Sequence, residues 1–206
     1  MKEVAIVGAG GFGRETAWLV AQLPQFKLVG FFDDGVSEIK IDGVPVLGKV
    51  ADVTNLRAGS ALVVAIANPH IREKIIQQID NGFDFPNVIH PTVSLGGPRN
   101  AIGRGNIITA GVIITTHVHI KDFCIINLGC TIGHDTILSN YSSLMPQCSI
   151  SGNVTLGDRC FVGAGARILQ NLELGADTVV GAGAVVTKSY AAGKKLMGVP
   201  AKEYVD

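Results

Sequence analysis

From Ile102 through Ile108, Ile114 and Ile120 to Leu174, Val180 and Val186, every sixth residue of this chain is aliphatic, fifteen in register without a miss. Neither the 3.6-residue period of a helix nor the two-residue alternation of a strand produces a sixfold recurrence, so the pattern predicts a solenoid of short strands and turns. Two residues before the aliphatic position the side chain is mostly small, as at Cys124, Cys130, Thr136, Ser142, Cys148, Cys160, Ala166, Thr178 and Ala184. Small groups there permit close approach of neighbouring backbones. Glycine often follows the aliphatic residue, at Gly103, Gly133, Gly157, Gly163, Gly175 and Gly181, which suits a corner with unusual backbone angles. Hexapeptide units of this kind predict a parallel β-helix whose stacked coils bury a core that no single unit could bury. With three units to a triangular coil, the fifteen units give about five coils.

Before residue 86 the pattern changes to alternating strands and helices. Val4 to Val7, Leu28 to Phe32 and Leu62 to Ala65 read as strands, and Phe12 to Leu23 and His70 to Asn81 as helices. That alternation predicts a small parallel sheet of the doubly wound type. The expected organisation is an α/β half-Rossmann-like domain over 1–86, an all-β parallel β-helix over 87–190, and a cap over 191–206. The cap is expected because Gly193 to Lys202 breaks the sixfold pattern, and an open coil end would expose unpaired strand edges.

Composition narrows the partners. Seventeen basic and seventeen acidic residues give no net charge, which argues against nucleic acid or an acidic membrane surface and favours a small molecule. No apolar run reaches membrane-spanning length and the opening residues lack signal-peptide grammar, so membrane insertion is not expected and a cytoplasmic location is. All four cysteines occupy the same place in the six-residue frame. They are expected as small buried thiols and not as disulfides or zinc ligands.

Two places carry candidate chemistry. Gly8-Ala9-Gly10-Gly11-Phe12-Gly13 follows a predicted strand and opens a predicted helix, the context in which glycines admit a phosphate to free helix-terminal amides. Asp33, twenty residues after Gly13, and Asp34 stand where a dehydrogenase would hold a ribose hydroxyl. A nicotinamide enzyme is therefore one reading, but fewer than ninety residues make only about half of a dinucleotide-binding fold. Asn68, in Ala67-Asn68-Pro69, falls at the carboxyl edge of the sheet, where it reads as a ligand contact, a helix N-cap or both. The second place is His134-Asp135, two residues beyond core Ile132. Taken alone, such a pair in a turn reads as exposed and unremarkable.

The combination of the glycine turn, Asp33-Asp34, Ala67-Asn68, Asn127, His134-Asp135, the hexapeptides and the ending Gly198-Val199-Pro200-Ala201-Lys202 resembles the sugar acyltransferases of the left-handed β-helix superfamily. The group it is most similar to comprises the nucleotide-amino-sugar N-acetyltransferases and sialic acid O-acetyltransferases. That resemblance implies a left-handed coil, a homotrimer, acetyl-CoA as co-substrate without a metal, and a nucleotide-sugar acceptor, first of all a UDP-linked 4-amino-4,6-dideoxy sugar. It implies His134 as general base with Asp135 raising its basicity and Asn127 in support. It also implies Gly152 as the amide facing the thioester carbonyl, and Ser143, Ala164 and Ala182 lining the CoA groove. Gly10, Gly11, Phe12, Asp33, Asp34, Ala67 and Asn68 would hold the acceptor. Phe12 and Ser143 depart from the family by standing where several relatives carry histidine. Three alternatives accompany this reading: O-acetylation of sialic acid or another sugar, an NAD-dependent oxidoreductase, and a non-catalytic nucleotide-binding scaffold. A zinc site made by His117, His119 and His134 would place the chain nearer the trimeric carbonic anhydrases, whose ligand spacing it does not match.

Overall fold

The computed structural model describes residues 1–79 and 82–204. The first part of the chain is an α/β layer built on strands β1 (Lys2–Val7) and β2 (Phe26–Phe32), the hairpin of β3 (Lys40–Ile41) and β4 (Val44–Gly48), and β5 (Ala61–Val64). The sheet order is β3-β4-β2-β1-β5, with β1 parallel to both β2 and β5. β1 is central and buried on both faces, which is why Val4 to Val7 is continuously apolar and does not alternate. Helix α1 (Gly11–Ala21) covers one face through Leu19 and Val20, and α2 (Pro69–Ile79) covers the other through Ile76 and Ile79. The predicted strands and helices are present with ends shifted by one or two residues. The final residues of the second predicted helix, Asp80 and Asn81, lie outside the described residues. The β3–β4 hairpin was not predicted, although Asp42-Gly43, both with positive φ, is a two-residue hairpin signal.

From Val88 onward the chain winds a three-faced parallel β-helix. Among the described residues the faces hold eight, six and five strands. Face I carries Ile108, Ile126, Leu144, Val162 and Val180; face II carries Ile114, Ile132, Ile150, Ile168 and Val186; face III carries Ile120, Leu138, Leu156 and Leu174. Each aliphatic residue pairs with the one eighteen positions on, as in Ile114↔Ile132↔Ile150↔Ile168↔Val186, and all of these lie in one buried core. All fifteen predicted units are strands. The coil extends further than the sixfold pattern does, because Val88–Ile89 and Ser94–Leu95 add strands below it and Lys195–Met197 adds one above. Lys202–Glu203 then turns back antiparallel on Lys195–Met197 and pairs along that edge of face I.

The small position supplies more than space. At successive units its side chain reaches the carbonyl fifteen residues on: Cys130 Sγ donates to Met145 O (3.1 Å), Thr136 Oγ1 to Ser151 O (3.0 Å), Ser142 Oγ to Gly157 O (3.2 Å) and Cys148 Sγ to Gly163 O (3.2 Å). Cysteine, serine and threonine recur there because each is a small donor that can satisfy a buried carbonyl.

The glycines that follow the aliphatic residues have a different cause from the one the sequence suggests. Gly133, Gly157, Gly163 and Gly175 do not have positive φ; a Cβ on each would lie 2.3–2.6 Å from a backbone nitrogen of the next coil. Close stacking excludes the side chain. The left-handed residue of each corner comes two positions later, and from Gly105 to Gly183 every corner has one. Three stacked columns result. Between faces I and II the column is mostly glycine (Gly111, Gly129, Gln147, Gly165, Gly183). Between II and III it is polar (His117, Asp135, Asn153, Asn171). Between III and I it runs Gly105, Phe123, Tyr141, Arg159, Asp177. Bulky residues in this conformation cost energy, and Phe123 and Tyr141 occupy it where the α/β layer docks. Phe123 meets Phe85 edge-on at 5.3 Å and stacks on Tyr141 at 5.6 Å. Ile107 and Ile125 on the outer side of face I are buried against the same layer.

Candidate active site

The polar column between faces II and III presents an imidazole to solvent. Ile132 anchors the corner in the core, Gly133 lets the next coil stack, and His134 leaves the coil with 64% of its side chain exposed. His134 Nδ1 lies 2.7 Å from Asp135 Oδ2, and His117 Nδ1, one coil below, lies 3.2 Å from Asp135 Oδ1. One carboxylate therefore braces two imidazoles. The hydrogen bond from His134, followed by that from His117, holds the Asp135 carboxyl below the ordinary carboxylate range, against the opposing effect of desolvation. An ionised Asp135 accepts from Nδ1–H, which leaves Nε2 of a neutral His134 as the open acceptor. Nε2 faces the backbone of Gly152, one coil above. A Cβ there would stand 2.5 Å from it. His119 projects from a face III strand, and no three His, Cys, Asp or Glu side chains among the described residues are gathered for a metal.

The other residues expected at the acyl-transfer site occupy a different corner. Ala164 and Ala182 lie exposed beside the glycine column between faces I and II, one coil apart, linked by Gly183 N–H donating to Ala164 O at 2.8 Å. Asn127 begins the same corner, where its Oδ1 accepts from Leu128 N–H at 2.7 Å, so its visible task is to close the turn. Within one chain, face II separates all three from His134. Ser143 does not present itself to a groove at all. It is fully buried, and its hydroxyl donates to Ala67 O (2.8 Å) and accepts from Arg72 Nη2 (2.9 Å) in the seam with the α/β layer.

In the glycine turn the motif's members divide by role. Gly8 has φ +102°, and a Cβ on Gly13 would fall 2.0 Å from Gly8 O, so these two close the strand–helix turn. Gly10 and Gly11 have nothing within 4 Å of a would-be Cβ. α1 starts there without a side-chain cap, which leaves its first amides available to an anion. Phe12 is half-buried against the sheet. Asp33 accepts from Ala9 N–H (2.7 Å) and Gly35 N–H (2.7 Å), bracing the glycine turn from β2, and Asp34 accepts from Val50 N–H (2.9 Å). The acid expected to address a ribose thus already holds the loop that would meet the phosphates. Asn68 caps α2 through His70 N–H (3.0 Å) and Ile71 N–H (3.1 Å).

Sequence reasoning missed Arg72. This α2 residue is 1% exposed, and its guanidinium donates to Ile66 O (2.6 Å) and Ala67 O (3.1 Å) of the α/β layer and to Phe123 O (2.9 Å) and Tyr141 O (2.5 Å) of the β-helix. Burial lowers its pKa to about 10. Nothing in the local pattern marks Arg72, because an arginine on a helix is ordinarily a solvated residue.

Residues 3–79 match the family described as the PglD N-terminal domain, and residues 153–188 match the bacterial transferase hexapeptide (six repeats). A GDP-perosamine N-acetyltransferase of Escherichia coli O157:H7 is 34% identical over 177 residues, spanning 82% of this chain and 79% of that protein. Among solved structures, the acetyltransferase domain of PglB from Neisseria gonorrhoeae FA1090 in complex with acetyl coenzyme A superimposes with a TM-score of 0.93 at 30% identity, over 98% of this chain and 99% of that one. PerB from Caulobacter crescentus, in complex with CoA and GDP-perosamine, gives 0.90 at 32% identity over 100% and 98%.

Proposed function

This chain belongs to the PglD/NeuD-type left-handed β-helix acyltransferases, and from that premise we propose that it transfers an acetyl group from acetyl-CoA to the amine of a nucleotide-linked amino sugar. The observation that carries the reading is the His134–Asp135 pair at 2.7 Å, with Nε2 turned to the Gly152 backbone. The neutral sugar amine attacks the thioester carbon as Nε2 of His134 takes its proton, and Asp135 stabilises the imidazolium that forms. The Gly152 amide faces the oxygen that becomes negative; as the C–S bond breaks, the imidazolium returns its proton to the thiolate, releasing the amide and CoA and restoring the base. Ala164 and Ala182 line the CoA path chiefly through backbone groups. Gly10, Gly11 and the start of α1 receive the diphosphate, with Phe12, Asp34, Ala67 and Asn68 around them and Asp33 holding the turn.

The nucleotide we propose is GDP, in place of the UDP expected from the sequence, because the E. coli relative and the C. crescentus structure both carry GDP-perosamine in their names. His134 and the Asn127, Ala164, Ala182 corner lie at opposite ends of face II, so a site using both is completed when face II of one subunit meets a neighbour. This supports the homotrimer. Release of free CoA from acetyl-CoA, followed with GDP-, UDP- and dTDP-linked 4-amino sugars and sialic acid, tests the assignment. Turnover with one nucleotide-amino sugar that vanishes in His134→Ala supports it; folded wild-type protein with no turnover and no acetyl-CoA binding defeats it.

A further inference from the structure

The acceptor and the base belong to different parts of the chain, so transfer depends on how firmly those parts are registered. Arg72 lies at their junction. Its Nη1 binds the carbonyls of Ile66 and Ala67, which belong to the loop leading to Asn68. Its Nε and Nη2 bind Phe123 O, Tyr141 O, Ser142 O at 3.4 Å and Ser143 Oγ, all in the β-helix. No carboxylate is among these partners. A buried arginine paired only with carbonyls and a hydroxyl gains little from charge pairing, and removing it would strand several buried acceptors. What the fork supplies is geometry, because one rigid plane fixes two carbonyls on one side and four oxygens on the other.

The same loop is held a second time. Ser143 Oγ donates to Ala67 O while accepting from Arg72, so Ala67 O receives from a helix side chain and from the β-helix at once. On the rim, Arg159 engages Glu73 at 3.3 Å and Asp177 at 2.7 Å, while His70 Nε2 lies 3.5 Å from Asp177. The first turn of α2 is therefore pinned to the corner between faces III and I. Tyr141 and Ser142 follow His134 by a single strand, so the clamp and the imidazole share one coil.

We propose that Arg72 is a positioning residue for the acyl acceptor: it holds the Ile66–Asn68 loop at a fixed offset from the β-helix, and so sets where the nucleotide-linked sugar meets the base. This rests on the acceptor reading above. It assigns Arg72 an effect on acceptor use and none on acetyl-CoA, whose path runs along a different corner. Ser143, bonded to both Ala67 O and Arg72, completes the clamp.

The test compares wild type, Arg72→Lys and Ser143→Ala in the intact oligomer. Lysine keeps the charge but cannot span both sets of oxygens. Arg72→Lys is expected to raise the acceptor KM about tenfold or more and to leave the KM for acetyl-CoA within about twofold, with Ser143→Ala shifting the acceptor KM the same way by a smaller factor. Amide hydrogen exchange is expected to quicken at 66–72 and 141–143 while the core strands of the β-helix stay protected. Equal losses for both substrates, or an unchanged acceptor KM in folded protein with fast exchange at the seam, would overturn the proposal. Should Arg72→Lys fail to fold, the Ser143→Ala split decides. If wild type acetylates no nucleotide-amino sugar, the acceptor reading falls, and unchanged exchange at 66–72 in Arg72→Lys would separately show that no clamp exists.

Discussion

Nδ1 of His134 and Oδ2 of Asp135 lie 2.7 Å apart although the two residues are consecutive in the chain. Neighbouring side chains in a strand point to opposite faces; here the left-handed corner conformation of Asp135, at φ 60°, folds the pair back together. Asp135→Asn keeps the shape and loses the charge. Its amide can present a donor to Nδ1 and thereby favour the tautomer protonated on Nε2. The expected result is a fall in kcat of about a hundredfold or more, with the KM for acetyl-CoA little changed. Steady-state kinetics of the folded variant check this. A drop below about threefold would remove Asp135 from the mechanism.

Gly152→Ala tests the stacking of base and amide. The new Cβ would fall 2.5 Å from His134 Nε2, so the ring must swing away while the coil, whose backbone at Gly152 needs no positive φ, stays intact. The expected outcome is a loss of about a hundredfold in kcat with stability changed by no more than about 1 kcal/mol. Thermal melting alongside kinetics separates the two effects.

The glycine turn predicts a split among its own members. Gly13→Ala forces a Cβ to 2.0 Å from Gly8 O, a backbone atom that cannot yield, and is expected to destabilise the α/β layer by about 2–3 kcal/mol. Gly10→Ala and Gly11→Ala meet nothing within 4 Å. They are expected to fold normally yet raise the acceptor KM, since a methyl group would occupy the approach to the helix amides. Urea melts and acceptor kinetics on the three variants report the division.

Legibility followed periodicity. The β-helix was readable because one physical demand, a buried aliphatic at each face, recurs every six residues with no interruption. The corner chemistry was not, because φ leaves no mark when His117, Asp135 or Tyr141 takes a place that glycine could fill. Glycine at Gly133 and Gly157 was noticed for the wrong reason, since coil spacing and backbone angle both select glycine and only coordinates separate them. His134-Asp135 and the glycine turn stood out through adjacent chemistry. Arg72 did not, because its partners are up to 71 residues away and mostly backbone carbonyls, which no sequence pattern displays. The seam contacts of Ser143 were hidden for the same reason.

Acid is expected to loosen the seam. The hydrogen bond from Arg159, foremost, holds the Asp177 carboxyl below its ordinary range, outweighing desolvation. A carboxyl depressed in the folded state adds stability above its unfolded pKa, near 4, and loses it as pH falls through the lower folded value. The melting temperature of wild type is therefore expected to drop on acidification from about pH 5 to pH 3, and Asp177→Asn to lack that portion of the drop. Parallel profiles for the two proteins would mean that the Arg159–Asp177 pair contributes nothing measurable.

The cysteines are expected to be silent until the coil opens. All four are buried, and burial, foremost, raises the thiol pKa of Cys124 to about 12 and that of Cys160 to about 11, so neither supplies thiolate near neutrality. Each also donates inward, Cys124 to Ser139 O at 3.1 Å and Cys160 to Gly175 O at 3.4 Å. The hydrogen bond with Cys148 pulls the Cys130 thiol down instead, so there burial alone keeps reagent out; a disulfide reagent at pH 8 should label native protein negligibly and modify every cysteine in denaturant. Cys160→Ser, which keeps a small donor at the position, is expected to cost less stability than Cys160→Val, whose branched side chain overpacks the core by about 1–3 kcal/mol. If serine proved the more damaging of the two, the position would be selecting for apolar volume and not for a donor, and the fifteen-residue ladder would have no part in choosing its residues.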